Sequence, residues 1–202
     1  MGARVAILIT ALCASGCAHQ GSVAVMDLDT EWETGTVDPE LLGDWYVSCG
    51  SEDLATLTFA EKDGAYAISS VIEKQNALVS LLPGDVARML HVGRHRFLMY
   101  GCEEEVDGQK RFKGGFLQLC VIEDGVLTLS RPCSQSLLEG QRRRMVDATC
   151  HEFVDDDGEV YRMFGAFDRL DAKTLGFLST LAEDPERWQT ALVATRSMPD
   201  PM

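Results

Sequence analysis

The chain has 202 residues, 46% of them hydrophobic, with 32 Asp and Glu against 18 Lys and Arg and a formal net charge of −14. That length fits one domain with a sizeable core, and the acidic balance repels phosphate backbones, which argues against nucleic acid as a partner. Beyond the first residues no apolar run reaches the roughly 20 residues that cross a bilayer as a helix.

The first segment has three parts. Met1-Gly2-Ala3-Arg4 carries one positive charge, Val5 to Leu12 is apolar, and Ala14-Ser15-Gly16 is small, the pattern of a secretory signal peptide. With the next residue included, Ala14-Ser15-Gly16-Cys17 resembles the lipobox of bacterial lipoproteins, in which the cysteine becomes the lipidated first residue of the mature chain. The resemblance implies removal of residues 1–16, a lipid on Cys17 and attachment to the membrane through it. Ala18, rather than Asp, follows the cysteine, which in the resembled lipoproteins implies the outer membrane, with the domain on the periplasmic side. The departure is Ala14, where lipoboxes usually carry Leu, and an ordinary Ala-x-Gly cleavage site uses the same small residues. A myristoylation signal needs Ser or Thr where this chain has Ala6, so that alternative fails.

Residues 17–37 are polar, acidic and small, and read as a flexible tether. From Asp38 to residue 197 short apolar alternations are separated by turn signals such as Lys62-Asp63-Gly64 and Glu123-Asp124-Gly125, the cadence of hairpins in an antiparallel sheet or barrel. The alternation predicts strands at Asp44–Cys49, Thr56–Ala60, Ala65–Ile72, Ala87–His91, Arg96–Cys102, Phe116–Ile122, Val126–Arg131 and Glu159–Phe164. Leu170, Leu175, Leu178, Leu181 and Ala182 then recur at helical spacing behind Asp171 as N-cap. Ala191 to Thr195 can return as a last strand, and residues 198–202 form a tail.

Asp38-Pro39-Glu40-Leu41-Leu42-Gly43-Asp44-Trp45-Tyr46 resembles the opening of a lipocalin, where a helical turn leads into Gly-x-Trp on the first barrel strand. The resemblance implies a mainly β fold, an antiparallel barrel of about eight strands with a C-terminal helix, closed at one end by the indole. Lipocalins place a basic residue after the last main strand to stack on that Trp, and Arg169 occupies the matching place in chain order, making Trp45 and Arg169 the expected barrel-closing pair. The family's Thr-Asp-Tyr motif is absent. Gly-x-Trp is short, and Trp45 also suits the core of another small β-domain.

Seven cysteines are present. Cys13 leaves with the signal and Cys17 carries the lipid, so Cys49, Cys102, Cys120, Cys133 and Cys150 remain, enough for two bridges and one free thiol in an oxidising compartment. Cys120 lies inside the apolar run Phe116 to Ile122 and is the expected inert, buried thiol. Cys133 and Cys150 bracket one excursion from the sheet and are expected to pair. Cys49 and Cys102 then pair by remainder, with two other pairings of the four left open.

Residues that could carry chemistry have plainer readings. His91 and His95 flank the turn Val92-Gly93-Arg94 and would face each other across it, but a metal needs further ligands. Asp155-Asp156-Asp157-Gly158-Glu159 lacks the acid two places earlier that a calcium loop requires. Gln141-Arg142-Arg143-Arg144 is a basic island in an acidic protein, suited to a lipid phosphate, an anionic polymer or an acidic partner, or to pairing with neighbouring acids. No hydrolase signature is present. The chain therefore reads as a non-catalytic envelope binding module for a small apolar ligand, without metal or cofactor. The alternatives are an envelope interaction or inhibitor lipoprotein and, last, an enzyme without a recognisable motif.

Overall fold

The computed structural model describes residues 22–27, 35–49, 53–72, 77–78, 82, 85–106, 109–154 and 160–197; Cys17, the signal segment and the acidic turn at Asp155 to Glu159 lie outside them. The strands are β1 (Ser22–Asp27), β2 (Gly43–Cys49), β3 (Asp53–Lys62), β4 (Ala65–Ile72), β5 (Ala77–Leu78), β6 (Val86–Val92), β7 (His95–Val106), β8 (Gln109–Glu123), β9 (Val126–Pro132), β10 (Ala148–Val154), β11 (Val160–Arg169) and β12 (Trp188–Thr195). Two helices, α1 (Ser134–Arg142) and α2 (Ala172–Ala182), and the 3₁₀ turn Pro185–Arg187 lie between β9 and β12.

Eight strands close into an antiparallel barrel of lipocalin-like form, in the order β2-β3-β4-β6-β7-β8-β9-β12 and back to β2. Its hairpins turn where the sequence signals them. Asp63 and Gly64, and Asp124 and Gly125, all have positive φ, the conformation that two-residue turns matching strand twist demand and that Asp-Gly supplies. These turns share one end of the barrel with the start of β2 and the end of β12.

Alternate residues fill the interior. Trp45, Leu57, Phe59, Tyr66, Met89 and Leu98 are all buried in one cluster, and the period of two along each strand puts them on the inward face. A second cluster lies outside the wall. Leu90, Phe97, Met99 and Leu117 meet Leu137 beyond α1's first turn and Phe177, Leu178 and Leu181 of α2. Strand β7 is thus covered on both faces, which explains why Phe97-Leu98-Met99-Tyr100 is apolar without alternation. Helix α2 begins where expected, the Asp171 carboxylate accepting from the Thr174 backbone N–H at 2.9 Å.

Three features differ from the sequence expectation. Within the strand expected at Glu159–Phe164, the residues from Val160 on belong to β11, which lies outside the barrel and, among the described residues, pairs with β10 and β1, while the eighth barrel strand is β12. Local alternation marks a strand but does not say which sheet takes it. The tether expected over 17–37 contains β1, hydrogen-bonded on both sides, antiparallel to β8 and parallel to β11, and Thr36 bridges to Met89. The stretch after Cys133, expected as a loop, contains α1.

Candidate functional site

At the closed end, the Trp45 side chain is completely buried and its Nε1–H donates to the Leu41 carbonyl at 2.8 Å. The guanidinium over its ring is that of Arg196, 4.1 Å from the ring centroid, and it also donates to the carbonyls of Leu42 and Glu40. The stacking expected of Arg169 therefore belongs to Arg196. Arg169 ends β11, in register with Asp27 of β1, whereas the strand that returns to β2 is β12, and Arg196 follows it. Gly43 has φ +102°, a conformation that favours glycine, and a Cβ there would sit 2.8 Å from the Arg196 Nη1, so the guanidinium would have to shift.

Beside this plug, Arg96 donates to Asp38 at 3.2 Å and to Glu40 at 2.5 Å. The Tyr66 hydroxyl donates to the Asp38 carbonyl at 2.9 Å and accepts from the Asp38 N–H; burial pushes its pKa up. Cys120 is a free, buried thiol, its pKa pushed up to about 12 by burial, which holds it protonated and unreactive at neutral pH. This half of the barrel is filled and tied.

Toward the opposite end the inward face becomes polar. Gln118 lies between Phe116 and Cys120 on β8, is 8% exposed, and its Oε1 has no hydrogen-bond partner among the described residues. Arg131 follows Leu127 and Leu129 on the inward parity of β9. Its charge acts on Tyr100, whose hydroxyl pKa is raised by burial and eased by Arg131. Tyr100 stacks on Phe116 with centroids 5.8 Å apart, and Ser70 is buried on β4. An amide, a guanidinium and a phenol thus share one inward-facing stretch with the stacked rings of Tyr100 and Phe116.

A separate groove of about 470 Å³ runs along the outer wall, past Leu119 and Val121 of β8, Pro185 and Trp188. At its edge the His95 Nε2 lies 3.0 Å from Glu183 Oε1, and Arg94 pairs with the same carboxylate. His91 pairs in register with Arg96, and His95 with Val92, so the two histidines take opposite faces of the hairpin instead of facing each other. Among the described residues no three His, Cys, Asp or Glu side chains converge on a metal site.

Cys133 caps α1 as a free thiol, its Sγ 3.7 Å from the Glu186 carbonyl. With Cys133 a free thiol the bridge expected to Cys150 is not formed in this structure, and the Cys133 backbone N–H donates to the Arg187 carbonyl at 2.8 Å. The side chains of Cys49, Cys102 and Cys150 lie outside the described residues. Arg142, Arg143 and Arg144 form the exposed end of α1, with Glu139 bonded to Arg143 at 2.5 Å.

Sequence reasoning missed Arg196, Gln118 and Arg131. Gln118 and Arg131 are readable as polar residues on the inward parity of apolar strands only once that parity is fixed, by Phe116 and Cys120 on β8 and by Leu127 and Leu129 on β9. Comparison with protein-family models, with curated proteins and with solved structures finds no match.

Proposed function

We propose that the chain is a non-catalytic binding module of the bacterial envelope, anchored through Cys17, whose barrel mouth takes a small, mainly apolar molecule with a polar end. The observation that carries this reading is Gln118. A buried carboxamide oxygen without a partner is costly, and a ligand N–H or O–H at the mouth would supply what it lacks. The apolar rings of Tyr100 and Phe116 offer the surface for the ligand's body, and the guanidinium of Arg131 favours an acceptor or negative charge at its head.

The test is displacement of a lipophilic dye from residues 18–202, with native mass spectrometry of bound species. Binding should weaken at least several-fold in Gln118→Leu, which removes the polar contact and keeps the bulk. A chain that binds no apolar or amphipathic probe overturns the reading. The anchor is tested by Cys17→Ser, which should move the protein from the membrane to the soluble fraction with its fold intact.

A further inference from the structure

We propose that the cationic end of α1, Arg142-Arg143-Arg144 with Met145, rests on the phosphate headgroups of the membrane that holds the lipid anchor. The inference rests on the reading of Cys17 as lipidated. All four residues are exposed, Met145 at 39%, and Arg144 adopts φ +57° after the helix ends.

The ion-paired acids beside the patch are shared with or held by cations outside it. Glu139 is shared by Arg143 and Arg187, and Asp147 is bonded to Lys173 at 2.9 Å. Arg142 and Arg144 form no ion pair among the described residues. In a chain of net charge −14, an anionic surface repels most of the protein and attracts this end, so the field orients the domain with α1's end toward the lipid.

Connectivity allows it. Five residue steps separate Cys17 from Ser22, at most about 18 Å of extended chain. Strand β1 is bonded on both sides, so Ser22 is fixed in the sheet and the leash stays short. Because β7 occupies one edge of β8 along its length, β9 and β1 share the other. Ser130 of β9 lies opposite Leu119, and Ala24 of β1 opposite Phe116, so the two meet within roughly 10 Å. Helix α1 starts at Ser134, just past the end of β9, and runs about 14 Å to Arg142. The anchor and the arginines thus leave the sheet from one junction and can touch one plane. One acyl signal with one basic patch is the combination that holds a protein against a membrane in a set orientation.

The test is arginine modification by phenylglyoxal, read by peptide mass spectrometry, on the full acylated chain in detergent and in phosphatidylethanolamine–phosphatidylglycerol vesicles. The expected result is labelling of Arg142 to Arg144 slowed at least about fivefold on the vesicles, with Arg94 unchanged. The variant Arg142→Glu/Arg143→Glu/Arg144→Glu should still float with vesicles but lose protease protection of the Met145 region. Acylated Cys17 with arginines equally reactive in both settings overturns the docking. Protection that appears only with envelope protein extract identifies a protein partner instead and also overturns it. An intact mass without an acyl chain on Cys17 overturns the anchor reading, and this inference with it.

Discussion

Replacing Trp45 by alanine removes the largest fully buried side chain, and three losses combine. Large-to-small changes of this kind cost about 3–5 kcal/mol. The Leu41 carbonyl loses its donor, which adds about 1 kcal/mol, and Arg196 loses the ring it covers, about 0.5–1 kcal/mol because the cation is exposed. Together these approach half or more of the roughly 5–15 kcal/mol that holds a domain folded. Urea melts followed by far-ultraviolet circular dichroism give the total. A double-mutant cycle with Arg196→Ala isolates the stacking, for which a coupling of about 0.5–1 kcal/mol is expected. A loss below about 1 kcal/mol in Trp45→Ala, or a coupling to Arg169→Ala as large as that to Arg196→Ala, would refute the assignment of the plug.

In the folded chain at pH 8, iodoacetamide should label Cys133, which is half-buried, and leave Cys120 unmodified, as peptide mapping will show; labelling of Cys120 without denaturant would mean that the barrel wall opens. The Glu183 carboxyl is held below the usual carboxylate range by its hydrogen bond to His95, against slight desolvation, and by Arg94. Its contribution is therefore complete above the unfolded-state pKa and lost as pH falls through the lowered folded value, so melting curves of wild type and Glu183→Gln should differ slightly at pH 6 and converge in stronger acid. Gly140→Ala should destabilise by about 1–3 kcal/mol, since the new methyl would lie 2.4 Å from the Phe177 ring, although alanine is the better helix former by about 1 kcal/mol; a rise in the urea midpoint would show that the α1–α2 contact is looser than drawn.

Where local pattern and global fold coincide, the chain is readable from its residues. Lys62-Asp63-Gly64 and Glu123-Asp124-Gly125 could be placed because positive φ is a property of the turn itself, and Asp171 because a cap needs only the N–H three residues later. What escaped reading depends on long-range pairing. Val160–Arg169 and Trp188–Thr195 are both plausible strands, and only the closing of the barrel through Thr195 and Tyr46 selects the second. Ser134–Arg142 hides as a helix because Gly140 and two serines lower its intrinsic preference, and the apolar cluster that takes Leu137 is built from the barrel wall and α2. The closing arginine is misplaced for the same reason: its position is defined by the strand that closes the barrel, and local pattern does not choose Trp188–Thr195 over Val160–Arg169.

The plug also decides where a ligand can enter. Passage through the closed end would require Trp45 to leave its carbonyl, Arg196 to release two more, and Arg96 to part from Asp38 and Glu40, all at once. Among the described residues no comparable set of ties is seen at the other end, where the inward face carries Gln118 and Arg131 and Leu82, 3% exposed, packs on the barrel cluster. Strand β1 joins β8 beside the end of β9, on the same edge and within a few rungs of Gln118 and Arg131. In the proposed reading, the short leash to Cys17 therefore brings the mouth and the anchor to one side of the molecule. A molecule with an apolar body would then pass between bilayer and barrel without crossing the water that makes its free diffusion slow.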